Sequence, residues 1–281
     1  MFVRPNGPWW NLFGTRMRTE TQPFPHIRDR ASVPGIMWTV VFALTPALAV
    51  SFFFSGWNGV RTVLIALVSM LATEAIFRKI LKERSSLYDG STVITAILFS
   101  LLLPLNLPSW MIALGSAVAI GLGKEIFGGL GQNPFNPALL GIIFLASAFP
   151  FIRGDFSPVV SLTGQKIGAL SILAGGIFLI TKRIVDWEMP FLYLGAVWMF
   201  SLPLRQEIPV LLAPFLLAAF FVVTDPVTTP LTRTARRGFA FFTGAFTALL
   251  RPFTGPAEAL SYALLLANGM NPWLERWLRR R

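Results

Sequence analysis

Ten apolar segments, separated by short polar stretches, limit this chain to folds that place most of its length in an apolar environment. Charged residues make up only 13% of the 281 residues, whereas soluble domains hold roughly 25%. The pattern therefore predicts an all-α polytopic membrane protein with about ten transmembrane helices. The segments span residues 34–55, 60–77, 91–103, 109–127, 137–152, 167–181, 189–203, 208–223, 239–250 and 259–273.

Several of these segments are too short for a straight crossing of the bilayer, and the two shortest are the most notable. Segments 91–103 and 239–250 fall below the roughly 20 residues that a perpendicular helix needs. Short apolar helices of this kind occur inside bundles, where neighbouring helices cover their ends. We therefore expect both segments to be half-helices buried in the bundle.

The distribution of basic residues favours ten crossings. With a cytoplasmic N-terminus, ten crossings place 19 of the 24 Lys and Arg residues on the cytoplasmic side and five outside. Cytoplasmic loops of membrane proteins are enriched in Lys and Arg, so the count predicts that both termini are cytoplasmic. The same interpretation assigns the net charge of +11 to the faces of a lipid bilayer and not to nucleic-acid binding.

The first apolar segment is preceded by a polar stretch. Residues 1–33 are rich in arginine and proline and hold no apolar core of a cleavable signal peptide. We interpret them as a cytoplasmic N-terminal arm, followed by a membrane domain over residues 34–281. The first apolar segment then serves as the targeting signal.

A short sequence repeat divides the membrane domain into two halves. Pro134-Phe-Asn-Pro-Ala138 resembles Pro252-Phe-Thr-Gly-Pro-Ala257 at an offset of 118 residues, and an apolar run follows each copy. Each copy precedes the last of five segments, which gives halves of about 34–152 and 167–273. Because five is odd, the halves have opposite orientations, and the repeat predicts a 5+5 inverted architecture.

Glycine, proline and amide residues are most crowded at residues 121–138, which read GLGKEIFGGLGQNPFNPA. The prolines that follow Asn133 and Asn136 favour extended backbone at both asparagines. We expect a non-helical hinge whose asparagines line a site, since such backbone in a membrane needs protein or a cavity to satisfy it. An ordinary loop between two helices is the alternative. Glycine permits positive φ or the close approach of another surface, and the hinge glycines are Gly128, Gly129 and Gly131.

Four acidic residues lie within or at the ends of apolar segments, where charge is costly and marks functional sites. We interpret Asp89, Glu125 and Asp225 as candidates for an ion path. Each has a structural alternative: Asp89 caps the third helix, Glu125 and its neighbour Lys124 form an interfacial salt bridge, and Asp225 bonds its own turn. The fourth residue is Glu74.

The residue counts exclude several kinds of redox centre. The chain holds no cysteine and a single histidine, His26, which excludes a Cys-ligated iron–sulfur cluster and a bis-His haem. An electron carrier on this chain is therefore organic. The sequence also holds no catalytic triad and no phosphate-binding glycine loop, which argues against hydrolytic chemistry.

Four motifs carry a family resemblance. They are Asp89-Gly-Ser-Thr-Val-Ile-Thr-Ala96, Gly123-Lys-Glu-Ile-Phe-Gly-Gly-Leu-Gly-Gln-Asn-Pro-Phe-Asn-Pro-Ala138, Phe221-Val-Val-Thr-Asp-Pro-Val-Thr228 and Ala263-Leu-Leu-Leu-Ala-Asn268. These motifs resemble the D subunit of the Rnf electron-transport complex and the related B subunit of the sodium-pumping NADH:quinone reductase. The resemblance implies ten helices in a urea-transporter-like inverted repeat, in the cytoplasmic (inner) membrane of a prokaryote.

The resemblance also implies a cofactor, FMN esterified to a threonine in a Ser-x-Ala-Thr motif on the outer side after the fifth span. The corresponding loop, residues 153–166, reads RGDFSPVVSLTGQK. Thr163 is its only threonine, and Ser161 precedes it by two residues instead of three. Thr163 is thus the candidate attachment site, and the broken motif predicts that it carries no covalent flavin.

We predict an integral membrane subunit of an Rnf-like ion-translocating oxidoreductase complex, which couples electron transfer to movement of Na⁺ or H⁺ and acts only with its partners. The resemblance implies that the partners include iron–sulfur and flavin subunits. Asn133 and Asn136 are candidates for cofactor binding. The alternatives are a non-redox solute channel or transporter, and a flavin-less structural membrane subunit on the same fold.

Overall fold

The computed structural model describes residues 32–82, 88–150, 165–204 and 213–278, and the regular elements of this part of the chain are helices. The all-helical prediction is confirmed for these residues. In chain order the helices are α1 (Val33–Leu81), α2 (Ser91–Leu102), α3 (Ser109–Gly123), α4 (Pro137–Ala148), α5 (Gln165–Thr181), α6 (Glu188–Ser201), α7 (Ala213–Leu217), α8 (Arg233–Leu250) and α9 (Pro256–Leu278). A 3₁₀ turn, Glu125–Phe127, follows α3, and a π-helical stretch, Ala218–Val222, continues α7.

Each of the ten apolar segments overlaps a helix of the described residues, and the first two both fall within α1. Helix α2 is short as predicted, with 12 residues, of which ten are buried. The prediction of a half-helix over 239–250 is wrong, because α8 has 18 residues and begins at Arg233. Hydropathy assigns its basic first turns to a loop, but Asp186 and Glu188 pair with these arginines and offset their charge.

Helix α1 is a hairpin of two arms that meet at Gly56. This residue has φ 55° and ψ −141°, a non-helical conformation that glycine adopts without a Cβ clash. In the first arm, Trp38 Nε1 donates a hydrogen bond to the Tyr88 carbonyl at 3.2 Å. In the second arm, Glu74 accepts a hydrogen bond from the Thr92 hydroxyl. Tyr88 and Thr92 stand at the start of α2, so the chain folds back at Gly56 and returns to the same end of the bundle.

Three of the other described helices pack against this hairpin. Helices α2, α3 and α5 contact α1, while α4 contacts α2, α3 and α9. The helix α1 and the stretch Ser109–Phe127 are long and apolar enough to cross a membrane. Shorter apolar helices lie at Ser91–Leu102, Pro137–Ala148, Lys166–Thr181 and Ala213–Val222.

Two sequence predictions lie outside the described residues. The polar arm, predicted over residues 1–33, lies outside them up to residue 31. The candidate attachment residue Thr163 lies in the interval 151–164, which is also outside them. Both therefore stay predictions.

Candidate functional site

The hinge between α3 and α4 ends in a capped helix. Asn136 is extended, with φ −68° and ψ 119°, as expected for a residue before proline. Its Oδ1 accepts hydrogen bonds from the backbone N–H groups of Ala138 and Leu139 at 3.1 and 3.4 Å. Asn136 is therefore the N-cap of α4, with Pro137 at the first helical position. Positive φ is confirmed at Gly128, Gly129 and Gly131.

The Asn136 side chain also connects the two halves of the chain. Its Nδ2 donates to Asp225 Oδ2 at 3.2 Å, and the Thr228 hydroxyl donates to the same oxygen at 3.3 Å. The other carboxylate oxygen of Asp225 accepts from the Val227 N–H at 3.1 Å. Asp225 thus bonds its own turn, as the structural alternative expects, and also reaches the cap of α4.

Two asparagines of α9 complete this polar group. Asn271 Nδ2 donates to the Thr228 carbonyl at 2.6 Å. In the amide orientation that satisfies both neighbours, Asn268 donates to the same carbonyl at 3.2 Å and accepts from the Asn136 N–H at 3.3 Å. Sequence reasoning missed Asn271, although an amide inside an apolar segment is a signal that points to it.

A π-helical stretch precedes Asp225. The Val223 N–H bonds the Ala218 carbonyl at 2.8 Å, which is the i to i+5 pattern of a π-turn. Such turns add one residue to a helix and are frequent at functional sites. Here the π-turn brings the end of this helix, with Thr224 and Asp225, to the hinge between α3 and α4.

A cavity lies between the hinge and the Asp225 turn. Its volume of about 60 Å³ leaves room for a few water molecules, since one buried water needs roughly 10–15 Å³ of such space. Phe220 and Phe221 contribute to an apolar wall. The polar lining includes Ser91, Lys124, Asn133, Asn136, Thr224 and Asp225. The structure therefore brings Asn133 and Asn136 of the hinge together with Asp225 of the later turn around one space.

Lys124 belongs to a buried polar network on the wall of this cavity. Its Nζ lies 3.0 Å from Glu74 Oε1, 2.8 Å from Ser91 Oγ and 2.9 Å from Thr92 Oγ1. The residue is 2% exposed and Glu74 is fully buried. Ser91 Oγ donates in turn to Asp89 Oδ1 at 2.6 Å, so Asp89 reaches the network through one hydroxyl.

A second buried ion pair lies beside the hinge. Arg78 Nε is 2.9 Å from Glu125 Oε2, and Glu125 is 1% exposed. The alternative prediction of an interfacial salt bridge between Lys124 and Glu125 is therefore wrong. Each of the two residues pairs with a side chain of α1, and both pairs are buried.

Asp89 and Glu125 differ from Asp225 in their surroundings. Asp89 Oδ1 accepts from the Ser91 N–H at 2.8 Å, a contact in the first turn of α2 that agrees with the capping alternative. Neither Asp89 nor Glu125 is among the lining residues of the cavity. Of the three candidates for an ion path, Asp225 is the one with direct access to this space.

The exposed surface near the start of α8 carries a separate charge cluster. Arg237 Nε and Arg233 Nη2 lie 2.6 and 2.5 Å from the Glu188 carboxylate, and Arg236 pairs with Asp186. Hydrogen bonds from Arg237 and then Arg233 lower the pKa of Glu188 to about 2. This cluster ties α6 to α8, and its residues are not among those that line the cavity.

Comparison with known proteins gives a match over nearly the whole chain. Residues 20–159 and 154–281 match the model of the family described as NQR2, RnfD, RnfE. The D subunit of the Na(+)-translocating ferredoxin:NAD(+) oxidoreductase complex of Acetobacterium woodii is 34% identical over an alignment of 294 positions, which spans 92% of this chain and 92% of that protein.

Two further relatives have similar coverage. The D subunit of the ion-translocating oxidoreductase complex of Methanosarcina acetivorans is 29% identical and covers 90% of this chain and 93% of its own length. The D subunit of the proton-translocating ferredoxin:NAD(+) oxidoreductase complex of Clostridium ljungdahlii is 29% identical, with 90% and 92% covered. The names of these relatives differ in the ion that is moved.

Proposed function

Because the chain belongs to the NQR2, RnfD, RnfE family, we propose that it is an integral membrane subunit of an Rnf-like ion-translocating oxidoreductase complex. The observation that carries this proposal is that relatives named as the D subunit of such complexes align with at least 90% of the chain. The complex couples electron transfer to movement of Na⁺ or H⁺. The chain holds no cysteine, so iron–sulfur centres lie in partner subunits.

The proposed membrane domain, residues 34–281, has ten helices in a 5+5 inverted repeat similar to urea transporters. It lies in the cytoplasmic membrane of a prokaryote, with both termini and the arm of residues 1–33 in the cytoplasm. The hairpin at Gly56 supports this arrangement, since it makes two crossings from one helix.

Helices α4 and α9 support the repeat. Each begins at the second proline of its sequence copy. Asn136 at the start of α4 lies beside Asn268 in the middle of α9. Ser147 near the end of α4 lies 3.1 Å, hydroxyl to hydroxyl, from Tyr262 near the start of α9. The two helices therefore run antiparallel, as equivalent helices of inverted halves must.

We propose that the cavity is a station on the ion path, with Asp225 as its charged ligand and Asn133 and Asn136 as its neutral binding groups. Asp225 accepts hydrogen bonds from an amide, a hydroxyl and a backbone N–H. Burial raises the pKa of Asp225, and these three donors oppose the rise and hold the carboxylate in place. A cation in the cavity would favour the charged form of the carboxylate as well.

Asp89 and Glu125 keep supporting roles in this proposal. Asp89 connects to the cavity wall through Ser91. Glu125 balances Arg78 beside the hinge, which keeps the positive charge of that guanidinium out of the cavity. Neither residue is proposed to touch the ion in this cavity.

The chain is proposed to carry no covalent FMN, because the Ser-x-Ala-Thr motif is broken at Thr163. The proposed ion path does not pass through a flavin on this chain. Mass spectrometry of the purified protein tests the point, and we expect the mass of the unmodified polypeptide. An FMN adduct that is present in the wild type, absent in Thr163→Ala and retained in Thr228→Ala would overturn this proposal.

Purification of a tagged chain in mild detergent from the membranes of its own host tests the function. We expect iron–sulfur and flavin subunits to copurify, identified by their absorbance and by mass spectrometry. A chain that purifies without redox partners, and that moves a solute across liposomes by itself, would instead support the transporter alternative.

A further inference from the structure

The side chain of Lys124 has the surroundings of a bound cation. An ammonium group has three donors and no acceptor, and all three directions are met by oxygens of Glu74, Ser91 and Thr92. The oxygens come from two different elements, the second arm of α1 and the start of α2. The three residues, called here the oxygen cage, therefore surround a positive charge that lies just after a third element, α3.

The hydroxyl groups of the cage are oriented so that their oxygens accept hydrogen bonds from Lys124. Thr92 Oγ1 donates its hydrogen to Glu74 Oε2, and Ser91 Oγ donates its hydrogen to Asp89 Oδ1 at 2.6 Å. Because both hydrogens are used elsewhere, both hydroxyl oxygens present lone pairs to Lys124. They act as ligands, and the carboxylate of Glu74 supplies the negative charge.

The size of the cage matches an ammonium-like ion. Its oxygens lie 2.8–3.0 Å from Nζ, within the roughly 2.7–3.2 Å of N–H···O bonds. They are farther away than the roughly 2.3–2.6 Å of Ca²⁺ ligands and the roughly 2.0–2.1 Å of Mg²⁺ ligands. Ser91 and Lys124 also line the cavity, so an ion in the cavity reaches the cage once the lysine side chain is shortened.

We propose that the oxygen cage of Glu74, Ser91 and Thr92 is a monovalent-cation site that the chain fills with its own Lys124. The lysine closes this site to free cations. A mobile cation that enters the cavity then meets the carboxylate of Asp225 and not that of Glu74. The cage itself concerns the chain alone, and only its consequence for Asp225 rests on the proposed function.

The Lys124→Ala variant of the full chain, purified in detergent, tests the proposal with methylammonium chloride as the probe. Choline chloride at equal ionic strength is the reference, because choline is too large for the cage. We expect the thermal midpoint of the variant to be lower than that of the wild type in choline. Methylammonium should raise it in a saturable manner by roughly 2–4 °C or more, since a ligand that binds only the folded state stabilises it.

Matched variants separate the cage from general salt effects. The wild type and Lys182→Ala, which removes an exposed lysine, should show equal midpoints in the two salts. The double variant Lys124→Ala/Glu74→Gln should also lose the response, because the cage no longer carries a charge. A folded Lys124→Ala variant without a methylammonium response, or an equal response in the double variant, overturns the proposal.

If Lys124→Ala does not accumulate in the membrane, the accumulation of the double variant Lys124→Ala/Glu74→Gln tests the proposal instead. A buried carboxylate without its cation is strongly destabilising, and Glu74→Gln removes that charge. The proposal therefore requires the double variant to accumulate where the single variant does not. Failure of both variants contradicts it.

Discussion

At the scale of single residues, the hinge depends on a glycine that makes room for an arginine. Gly129 has φ +90°, and a Cβ built on it would lie 1.9 Å from Arg78 Nη2. Arg78 is held at its Nε by Glu125, so its guanidinium cannot move without disturbing a buried ion pair. The glycine is required for both its backbone conformation and its lack of a side chain.

We predict that Gly129→Ala lowers the thermal midpoint of the purified chain more than Gly131→Ala does. Gly131 has the same φ of +90°, but a Cβ placed on it would meet no atom within 4 Å, which makes it the matched control. Both substitutions carry the left-handed cost of roughly 1–2 kcal/mol. Gly129→Ala adds up to roughly 3–5 kcal/mol if the buried pair of Arg78 and Glu125 is broken. Equal midpoints of the two variants would show that the contact with Arg78 is unimportant.

Among single residues, the conformation of the hinge glycines could be predicted from the sequence, whereas the burial of two basic side chains could not. The positive φ of the hinge glycines follows from local composition, and the structure confirms it. The burial of Arg78 and Lys124 does not, because hydropathy assigns a basic residue at the end of an apolar segment to the membrane surface. Their partners, Glu125 and Glu74, are far away in sequence, and no local pattern reports such a contact.

At the scale of elements, Asn136 has two separable roles. Its Oδ1 caps α4, and its Nδ2 bonds Asp225 in the other half of the chain. Serine is as good an N-cap as asparagine but is too short to reach Asp225. The variants Asn136→Ser and Asn136→Ala therefore differ in the cap and share the loss of the Asp225 contact.

We predict that Asn136→Ala is less stable than Asn136→Ser by about 1 kcal/mol, the usual value of an N-cap, as measured by thermal unfolding. Both variants should insert into the membrane at near normal yield and lower electron transfer in the assembled complex to the same extent. If the rate of electron transfer falls only in the less stable Asn136→Ala and stays close to that of the wild type in Asn136→Ser, the role of Asn136 is purely structural.

The positions of helices can be predicted from the sequence where hydropathy alone determines their ends. Apolar periodicity and length are enough to locate α2 as a short buried helix. They do not locate the start of α8, because Arg233 and Arg237 belong to the helix through their pairing with Glu188. Apolar periodicity also does not reveal the π-turn at Val223. The extra residue of that turn lies in an apolar run and is as apolar as its neighbours.

At the scale of the whole molecule, the proposed topology is open to a direct chemical test. The chain has no cysteine, so it provides its own unreactive parent for single-cysteine labelling with a membrane-impermeant maleimide. We predict that Gly154→Cys is labelled in intact cells and that Arg281→Cys is labelled only after permeabilisation. Reversed labelling of the two variants would refute the inverted repeat with cytoplasmic termini.

The central claim is that this chain moves an ion past Asp225 while its complex transfers electrons. Inverted membrane vesicles that contain the complex allow the rate of electron transfer and the rate of ion uptake to be measured together. Three forms of the chain are compared: the wild type, Asp225→Asn, and Asp186→Asn, which removes an exposed carboxylate at the α6–α8 surface. We predict that Asp225→Asn assembles normally but moves fewer ions per electron by roughly tenfold, a factor that corresponds to about 1.4 kcal/mol, while Asp186→Asn matches the wild type. An Asp225→Asn complex with the ion-to-electron ratio of the wild type would contradict this claim.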